Sequence, residues 1–213
     1  MEIIIRKEIE SLEQYIMQNL GAYGLCFEVE GLDISIRIVD ECPLYASDGN
    51  PQFLNLLKEY EIGTRELESK EGEEVWVSDI CESLEEVEQW LKDNDYYYQR
   101  VNGYEHSGLT LSLAGEGYYC RWDSGVAGYL VIKRSELRAA RGVKRLSKKT
   151  LEQEKNFYRG LISELNDWLN GSIYELCIND EYIEGYMYSI SEVAEHIEAA
   201  MAEAEAETPA EIA

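Results

Sequence analysis

The charges of this chain are segregated along its length, which limits the surfaces that the folded chain can present. Residues 1–100 carry 24 acidic and 8 basic side chains, whereas residues 101–160 carry 6 acidic and 11 basic ones. Residues 161–213 carry 13 acidic side chains and no lysine or arginine. The net charge of −24 therefore comes from two acidic regions that flank a basic centre. Because most of such a surface repels phosphate groups, direct binding of nucleic acid is not expected.

The hydrophobic content predicts a folded chain despite this charge. Of the 213 residues, 45% are hydrophobic, and they include 16 tyrosines and 4 tryptophans. Disordered chains of high net charge are poor in residues of these types. A chain of this length buries roughly 70% of the surface that its unfolded form exposes, so a sizeable core is expected.

Neither a membrane segment nor a disulfide framework is expected. No run of about 18 apolar residues occurs, and the first residues are too acidic for a secretory signal peptide. An odd number of widely spaced cysteines without a C-x-x-C pair favours free thiols in a reducing compartment. We therefore expect a cytoplasmic protein that makes no membrane contact. The cysteines are Cys26, Cys42, Cys81, Cys120 and Cys177.

The hydrophobic pattern predicts an α+β fold, with an antiparallel sheet built from hairpins, flanking helices and a strongly acidic surface. Strict alternation over residues 32–39 and a Glu30-Gly31 turn predict a hairpin of strands 24–30 and 33–39. Ser83 and Glu86 form a capping box that predicts a helix over 84–93. Further helices are predicted at 8–20, from Pro51, from Ser135 to 141, at 150–169 and from Ser191 to 202. Further strands are predicted at 74–80, 96–101, 109–114, 117–122, 127–133, 172–178 and 182–188.

We expect two regions, or one continuous domain over residues 1–202. The first region is an acidic α+β segment over 1–95, and the second is an α+β segment over 96–202 that contains the long helix. The alternating alanines and glutamates of residues 203–213 predict a flexible acidic tail.

The acidic segment from Glu59 to Asp95 is the densest, with 14 acids against 3 bases. Carboxylates four residues apart on a helix are about 6 Å apart along its axis, which is of the order of the phosphate spacing in DNA. Solubility requires a net charge of only about 2–8, and a larger one destabilises the folded state by self-repulsion. The sequence thus favours an acidic surface that binds a basic nucleic-acid groove of a partner, although a generally acidic surface suited to high salt is the alternative. The candidate partner-binding residues are Glu66, Glu68, Glu71, Glu73, Glu74, Asp79, Glu82, Glu85, Glu86, Glu88, Asp93, Asp95, Glu175, Asp180, Glu181 and Glu184.

The basic centre contains a cluster of eight cations within 17 residues, interrupted by a single acid, Glu136. Clustered lysines and arginines are typical of nucleic-acid binding, but here no aromatic residues for base stacking are interleaved with them. We therefore favour contacts with the chain's own acidic regions or with another copy of the chain. This basic island consists of Lys133, Arg134, Arg138, Arg141, Lys144, Arg145, Lys148 and Lys149.

Three side chains of the central region have the residue types of a nucleophilic triad: His106, Asp123 and Ser124, with Cys120 as an alternative nucleophile. A triad requires hydrogen bonds of about 3 Å between neighbouring members. Ser124 does not lie in a G-x-S-x-G elbow. The sequence Trp-Asp-Ser-Gly between two predicted strands is also typical of a turn, and we favour that interpretation.

No cofactor and no metal site are predicted. The two histidines, His106 and His196, are too few for a histidine-rich metal site. Carboxylate clusters can bind Ca²⁺ or Mg²⁺ weakly, but the spacing of an EF-hand is absent. The sequence also contains no glycine-rich phosphate loop.

A longer pattern around this turn resembles a group of proteins from mobile elements. It consists of H-S-G-x-T at 106–110 and C-x-W-D-S-G-x-x-G-Y at 120–129, followed by a basic short helix and a long helix. Residues 100–190 resemble uncharacterised proteins that phages, plasmids and integrative elements of bacteria encode, whereas residues 1–100 do not. The resemblance implies a protein that acts inside a bacterium, a setting in which strongly acidic proteins often imitate DNA to inhibit restriction or CRISPR nucleases. It implies no catalytic residue, and motifs of the well-known antirestriction families are absent.

Charge and resemblance together predict a non-catalytic anti-CRISPR or anti-restriction protein. Its expected partner is a basic nucleic-acid-binding protein or nuclease complex of the host, and its expected mode of action is nucleic-acid mimicry. Two alternatives stay open. One is a small hydrolase-like or ligand-binding module that uses His106, Asp123 and Ser124, and the other is a homo-oligomeric accessory protein.

Overall fold

The computed structural model describes residues 2–4, 11–42, 44, 50–77, 81–183 and 185–207. Within these residues the chain has the expected α+β class, with flanking helices and sheets whose strand pairs are antiparallel except for the parallel pair β1–β2. The strands are β1 Glu2–Ile4, β2 Leu25–Val29, β3 Leu32–Ile38, β4 Gln52–Asn55, β5 Glu66–Glu68, β6 Glu74–Trp76, β7 Tyr96–Glu105, β8 Leu109–Leu113, β9 Ser124–Lys133, β10 Tyr174–Ile178 and β11 Glu181–Tyr182. The helices are α1 Leu12–Asn19, α2 Leu84–Asp93, α3 Arg134–Ala140, α4 Lys148–Leu169 and α5 Ile190–Glu207.

The first compact unit combines residues 1–40 with residues 171–213. Its sheet has the strand order β1-β2-β3-β10-β11. In this sheet β10 pairs antiparallel with β3, although the two strands are far apart in the sequence. Alternate residues of β2 and β3, such as Phe27, Ile34 and Ile36, are buried and face the helices α1 and α5. This pairing joins the two ends of the chain, and a boundary near residue 95 is therefore not where the units divide.

The second unit comprises residues 41–170 and is built on a four-stranded sheet in the order β4-β9-β7-β8. Both faces of this sheet are covered. Leu130 and Ile132 of β9 belong to a core that includes Tyr158 and Leu165 of α4. The alternate residues of β9, such as Val131, belong to a second core that also includes buried residues of α2 and of the β5–β6 hairpin. Burial on both faces explains the continuous apolar run of β9.

The segment after Pro51 is a strand and not the predicted helix, because Phe53 and Leu54 lie on opposite faces of the sheet. Both side chains are fully buried, Phe53 in the core beneath α4 and Leu54 in the core beneath α2. The strand β4 pairs antiparallel with β9, with Phe53 opposite Leu130. The two neighbouring apolar residues thus follow the two-residue period of a strand.

The prediction of a strand at 117–122 is also wrong, because residues 114–123 form an irregular loop between β8 and β9. The predicted strand 182–188 is reduced to β11 and an isolated bridge between Tyr174 and Met187. The predicted strand 74–80 ends at Trp76, and residues 78–80 lie outside the described part of the chain. Similarly, residues 8–10 of the first predicted helix lie outside it, and α1 begins after Ser11, whose side chain caps the helix.

Two helix starts differ from their predicted caps. The helix α3 follows Lys133 without a side-chain cap, so Ser135 does not cap it. The helix α5 is capped by Ser189 instead of Ser191, since the Glu192 amide donates to Ser189 Oγ at 3.1 Å. This helix continues to Glu207, so residues 203–207 of the predicted tail are helical and residues 208–213 lie outside the described residues.

Within the described residues, no helix is long and apolar enough to cross a membrane. The five cysteines are free.

Candidate functional site

Three of the candidate glutamates share one face of the β5–β6 hairpin. Glu68 lies directly opposite Glu74, and Glu66 lies opposite Trp76. Leu67 faces the other way and is 2% exposed, which fixes the hairpin to the core beneath α2. Paired side chains of an antiparallel ladder lie on the same face, so the outer face of the hairpin carries these glutamates and the half-exposed Trp76. Like charges directly opposite each other destabilise a hairpin.

Lys133 helps to attach this acidic face to the four-stranded sheet. Lys133 Nζ at the end of β9 lies 3.2 Å from Glu68 Oε1 and donates to the Ser69 carbonyl at 3.0 Å. It also lies 5.2 Å from the centre of the Tyr96 ring. The Tyr96 hydroxyl in turn donates to the Glu68 carbonyl at 2.9 Å. These contacts fix the backbone of the hairpin. Among the described residues, the carboxylates of Glu66 and Glu74 have no hydrogen-bond or ion-pair partner.

The turn that joins β5 to β6 extends the acidic face. Glu71 and Glu73 are exposed, and the backbone of Glu73 is held by Ser69 through the Glu73 amide and the Ser69 Oγ at 3.2 Å. Glu66, Glu71, Glu73 and Glu74 therefore project from an element whose conformation is set by other residues. We refer to these four glutamates together with Glu68 as the hairpin glutamates.

The candidate acids of α2 have structural partners. The Glu86 amide donates to Ser83 Oγ at 3.2 Å, as the predicted capping box requires. Glu86 Oε2 accepts from the Glu82 amide at 2.6 Å, one residue before the Ser83 amide of that motif. Glu85 lies in the same first turn, where carboxylates are stabilised by the helix dipole. These side chains are exposed, but their positions are explained by the helix alone.

Glu88 is part of a half-buried network. Arg100 forms an ion pair with it, with Arg100 Nε 3.0 Å from Glu88 Oε1, and the Tyr129 hydroxyl donates to it at 3.3 Å. Burial acts to raise the pKa of Glu88, but the hydrogen bond and charge of Arg100 outweigh it, so this pKa lies below the usual value. Burial and then the charge of Glu88 raise the pKa of Tyr129 to about 12.

The other candidate acids of this unit lie at the end of α2. Asp93 Oδ1 accepts from Gln89 Nε2 at 2.8 Å, and Asp95 lies 3.9 Å from Arg134. Asp95 has a φ of +59°, a conformation that Asp adopts more readily than most residues. Asp79 lies outside the described residues.

The remaining candidates belong to the other unit, on the β10–β11 hairpin. Asn179 and Asp180 form its two-residue turn, with φ of +51° and +63°, which is the turn geometry that favours Asn and Asp. A turn thus joins the segments predicted as strands 172–178 and 182–188, although β11 begins at Glu181. Asp180 and Glu181 are exposed, whereas Glu175 is half-buried beside Tyr182. Burial, followed by the hydrogen bond and the charge of Glu175, raises the pKa of Tyr182 to about 12. Glu184 lies outside the described residues.

Three of the eight cations of the basic island form ion pairs with the chain's own acids. Lys133 pairs with Glu68, Arg134 with Asp95, and Arg141 with Glu154. Glu68 and Asp95 belong to the acidic region 1–100, as the favoured interpretation of the island expects, whereas Glu154 lies in the basic centre itself. The exposed members without a described ion pair are Lys144, Arg145, Lys148 and Lys149.

The candidate triad residues meet in a turn rather than in a relay of hydrogen bonds. The Ser124 amide donates to the Cys120 carbonyl at 2.9 Å, and the Cys120 amide donates to Ser124 Oγ at 2.9 Å. Asp123 Oδ2 accepts from the Cys120 thiol at 3.3 Å and lies 3.9 Å from Nδ1 of His106. Asp123 thus lies between the two other groups, whereas a triad needs the histidine between the carboxylate and the nucleophile.

The loop that precedes this turn is tied to α4 by one carboxylate. Glu116 accepts from Arg159 Nε at 2.9 Å and from Arg159 NH2 at 2.7 Å, and Lys155 Nζ lies 3.1 Å away. The Arg159 hydrogen bonds, with a smaller contribution from Lys155, lower the pKa of Glu116 to about 2. Sequence reasoning missed this residue, since its partners are about forty positions away.

The Glu116 carboxylate is expected to stabilise the fold only above acidic pH. Its folded-state pKa is about 2 and its ordinary value is 4.5, so the contribution is present above pH 4.5 and disappears as the pH falls towards 2. All three side chains are roughly one third exposed, so Glu116→Gln should lower the free energy of unfolding by about 1 kcal/mol at neutral pH. Urea unfolding of both proteins over this pH range tests it. A difference that stays constant with pH contradicts this role.

Among the described residues, no group of three or more His, Cys, Asp or Glu side chains is arranged to hold a metal ion. Comparison with protein-family models, with curated proteins and with solved structures finds no match.

Proposed function

We propose that this chain is a non-catalytic anti-defence protein that acts inside a bacterium. In this proposal the hairpin glutamates stand in for phosphates and occupy the DNA- or RNA-binding channel of a restriction or CRISPR nuclease complex. The carrying observation is the outer face of the β5–β6 hairpin, where Glu66, Glu68 and Glu74 are held together in spite of their mutual repulsion.

The spacing of these carboxylates supports mimicry. Residues two apart on a strand, such as Glu66 and Glu68, are separated by about 6.6 Å along the strand. Two nucleotide steps advance about 6.8 Å along the axis of duplex DNA. Glu74, directly opposite Glu68, adds a second row of charge at the distance between paired strands. The hairpin thus presents negative charge at intervals close to the axial spacing of every second phosphate of a DNA strand.

The exposed hairpin also suits fast capture of a basic channel. A net charge of −24 steers a positively charged partner towards the chain, and this attraction weakens as salt rises. The part played by Ser124 and Asp123 in the turn favours a non-catalytic chain over the hydrolase-like alternative.

Expression of the chain in bacterial strains that each carry one defined restriction or CRISPR system tests the proposal. We expect phage to plate more efficiently in at least one of these strains, and equally in the matched strain without the system. Protection in a strain that lacks every defence system, or an effect that requires Ser124 and His106, contradicts it.

A further inference from the structure

The loop between β8 and β9 exposes three large aromatic side chains within five residues. Tyr118 is 71% exposed, Tyr119 is 68% exposed and Trp122 is 84% exposed. Large aromatic side chains are ordinarily among the groups that folding removes from water, and their exposure together marks a surface that contacts another molecule. The ion pairs of Glu116 with α4 hold this loop in place, so the exposed surface belongs to a fixed segment.

A cavity of about 310 Å³ adjoins this loop at the point where β7 ends and β9 begins. Trp122 lines it together with Glu105 and Asp123. Gly125 opens it, since a Cβ at this position would have no atom within 4 Å. The volume is at the lower end of the range of about 300–1,000 Å³ that is usual for sites that bind small groups.

We infer that this cavity receives an arginine or lysine side chain from the basic partner. The inference rests on the proposed function, which supplies a partner rich in such side chains. An aromatic face beside carboxylates binds a cation through its ring electrons and through charge-assisted hydrogen bonds. Arg121 already lies 5.5 Å from the centre of the Trp122 ring, so this indole attracts a guanidinium within the chain itself.

Both carboxylates keep acceptor capacity for such a group. Glu105 Oε1 accepts from the Tyr60 hydroxyl at 2.8 Å, and Asp123 Oδ2 accepts from the Cys120 thiol. A carboxylate offers about four acceptor positions, so each has free positions for a guanidinium or ammonium donor. The same two charges repel a phosphate, so a nucleotide does not suit the cavity.

A titration that distinguishes charge from shape tests this inference. The ¹⁵N-labelled full chain is titrated with N-acetyl-arginine methylamide and, in parallel at equal ionic strength, with the citrulline analogue, which has the same shape but no charge. We expect the indole N–H signal of Trp122, assigned by its loss in Trp122→Phe, to move saturably with the arginine compound only. The indole signal of Trp168 serves as the internal control, since this residue is outside the cavity lining.

Two variants locate the binding in the cavity. Gly125→Leu fills it without a backbone penalty, since Gly125 does not have a positive φ, and should remove the saturable shift. Gly160→Leu on α4 is the matched control, since a Cβ there also has open space, and should bind as the unchanged chain does. Glu105→Gln combined with Asp123→Asn should weaken binding about tenfold or more, the factor that about 1.4 kcal/mol makes.

Equal shifts with the citrulline compound, or an unchanged saturable shift in Gly125→Leu, overturn the inference. The result is independent of defence inhibition. If the arginine compound binds but the chain protects no phage, the cavity stands and the proposed function fails. If the chain protects phage but Trp122 does not respond, the proposed function stands and the cavity assignment fails.

Discussion

Reversal of three hairpin glutamates, Glu66→Lys, Glu71→Lys and Glu74→Lys, is expected to abolish binding to the nuclease target. Each substitution adds two positive charges, so the net charge changes from −24 only to −18. At the site itself, however, three attractions to a basic channel become repulsions, and like charges placed together at an interface cost several kcal/mol. We expect a loss of affinity of at least about a hundredfold, or about 2.7 kcal/mol, and a corresponding loss of protection in cells.

The same variant should fold at least as well as the natural chain. Glu68 then faces a lysine at position 74 in place of a glutamate, and opposite charges across a hairpin are favourable by up to about 1 kcal/mol. A higher or unchanged midpoint of urea unfolding, together with lost binding, separates function from stability. Reversal of Glu82, Glu85, Glu86 and Glu88 is a poorer test, since Glu88 pairs with Arg100 and Glu86 holds the start of α2.

A matched control has the same change of charge at another place. Glu195→Lys, Glu198→Lys and Glu203→Lys alter exposed residues of α5 that are outside the candidate set. If net charge alone attracts the partner, both triple variants lose affinity equally, and the assignment to the hairpin is contradicted. If the hairpin is the binding surface, the α5 variant keeps its affinity to within a few-fold.

Removal of Arg141 is expected to have the largest effect on stability. Glu154 of α4 is 1% exposed, and Arg141 binds it with Nε at 2.8 Å and NH2 at 2.7 Å. Removal of one partner of a buried pair leaves an uncompensated charge in the core and costs about 3–5 kcal/mol. Because the Arg141 side chain is 38% exposed, we expect Arg141→Met to cost about 2–3 kcal/mol, measured by urea unfolding.

The double variant Arg141→Met with Glu154→Leu shows whether the loss comes from the stranded carboxylate. A buried pair replaced as a whole by apolar side chains is often neutral or stabilising, so the double variant should recover most of the lost free energy. A double variant as unstable as Arg141→Met contradicts this explanation. In that case the packing of Arg141 on the Phe157 ring, at 5.1 Å, would account for its contribution.

Local signals in the sequence predicted the elements that local chemistry determines. Ser83 with Glu86 identified the start of α2, and alternation over 32–39 identified β3. The prediction of a helix after Pro51 was wrong because neighbouring apolar residues fit a helix or a buried strand equally well. Only the pairing of this segment with β9 distinguishes the two. The prediction of a strand at 117–122 was wrong because tyrosine, although typical of strands, occurs here on the exposed surface of a loop.

The candidate site was predictable as composition but not as geometry. Counting charges identified the acidic segment, but the sequence cannot tell an exposed carboxylate such as Glu74 from one that completes a network such as Glu88. Glu88 of the helix α2 has its partner on the strand β7, and Glu116 of the loop after β8 has its partners on the helix α4. The cavity beside Trp122 could not be predicted from the sequence either. It depends on the pairing of Gly103 with Gly125, where the end of β7 meets the start of β9.

Capture of the target in the presence of competing nucleic acid tests nucleic-acid mimicry most directly. The chain is immobilised on a support and incubated with a host lysate at low salt. Duplex DNA or single-stranded RNA is then added to displace the bound complexes, and a neutral polymer serves as the uncharged control. We predict that a nuclease complex binds, that nucleic acid of the kind it acts on displaces it, and that the triple hairpin variant does not capture it. A complex that stays bound at saturating concentrations of its own nucleic acid, or that the hairpin variant captures equally well, would contradict the account.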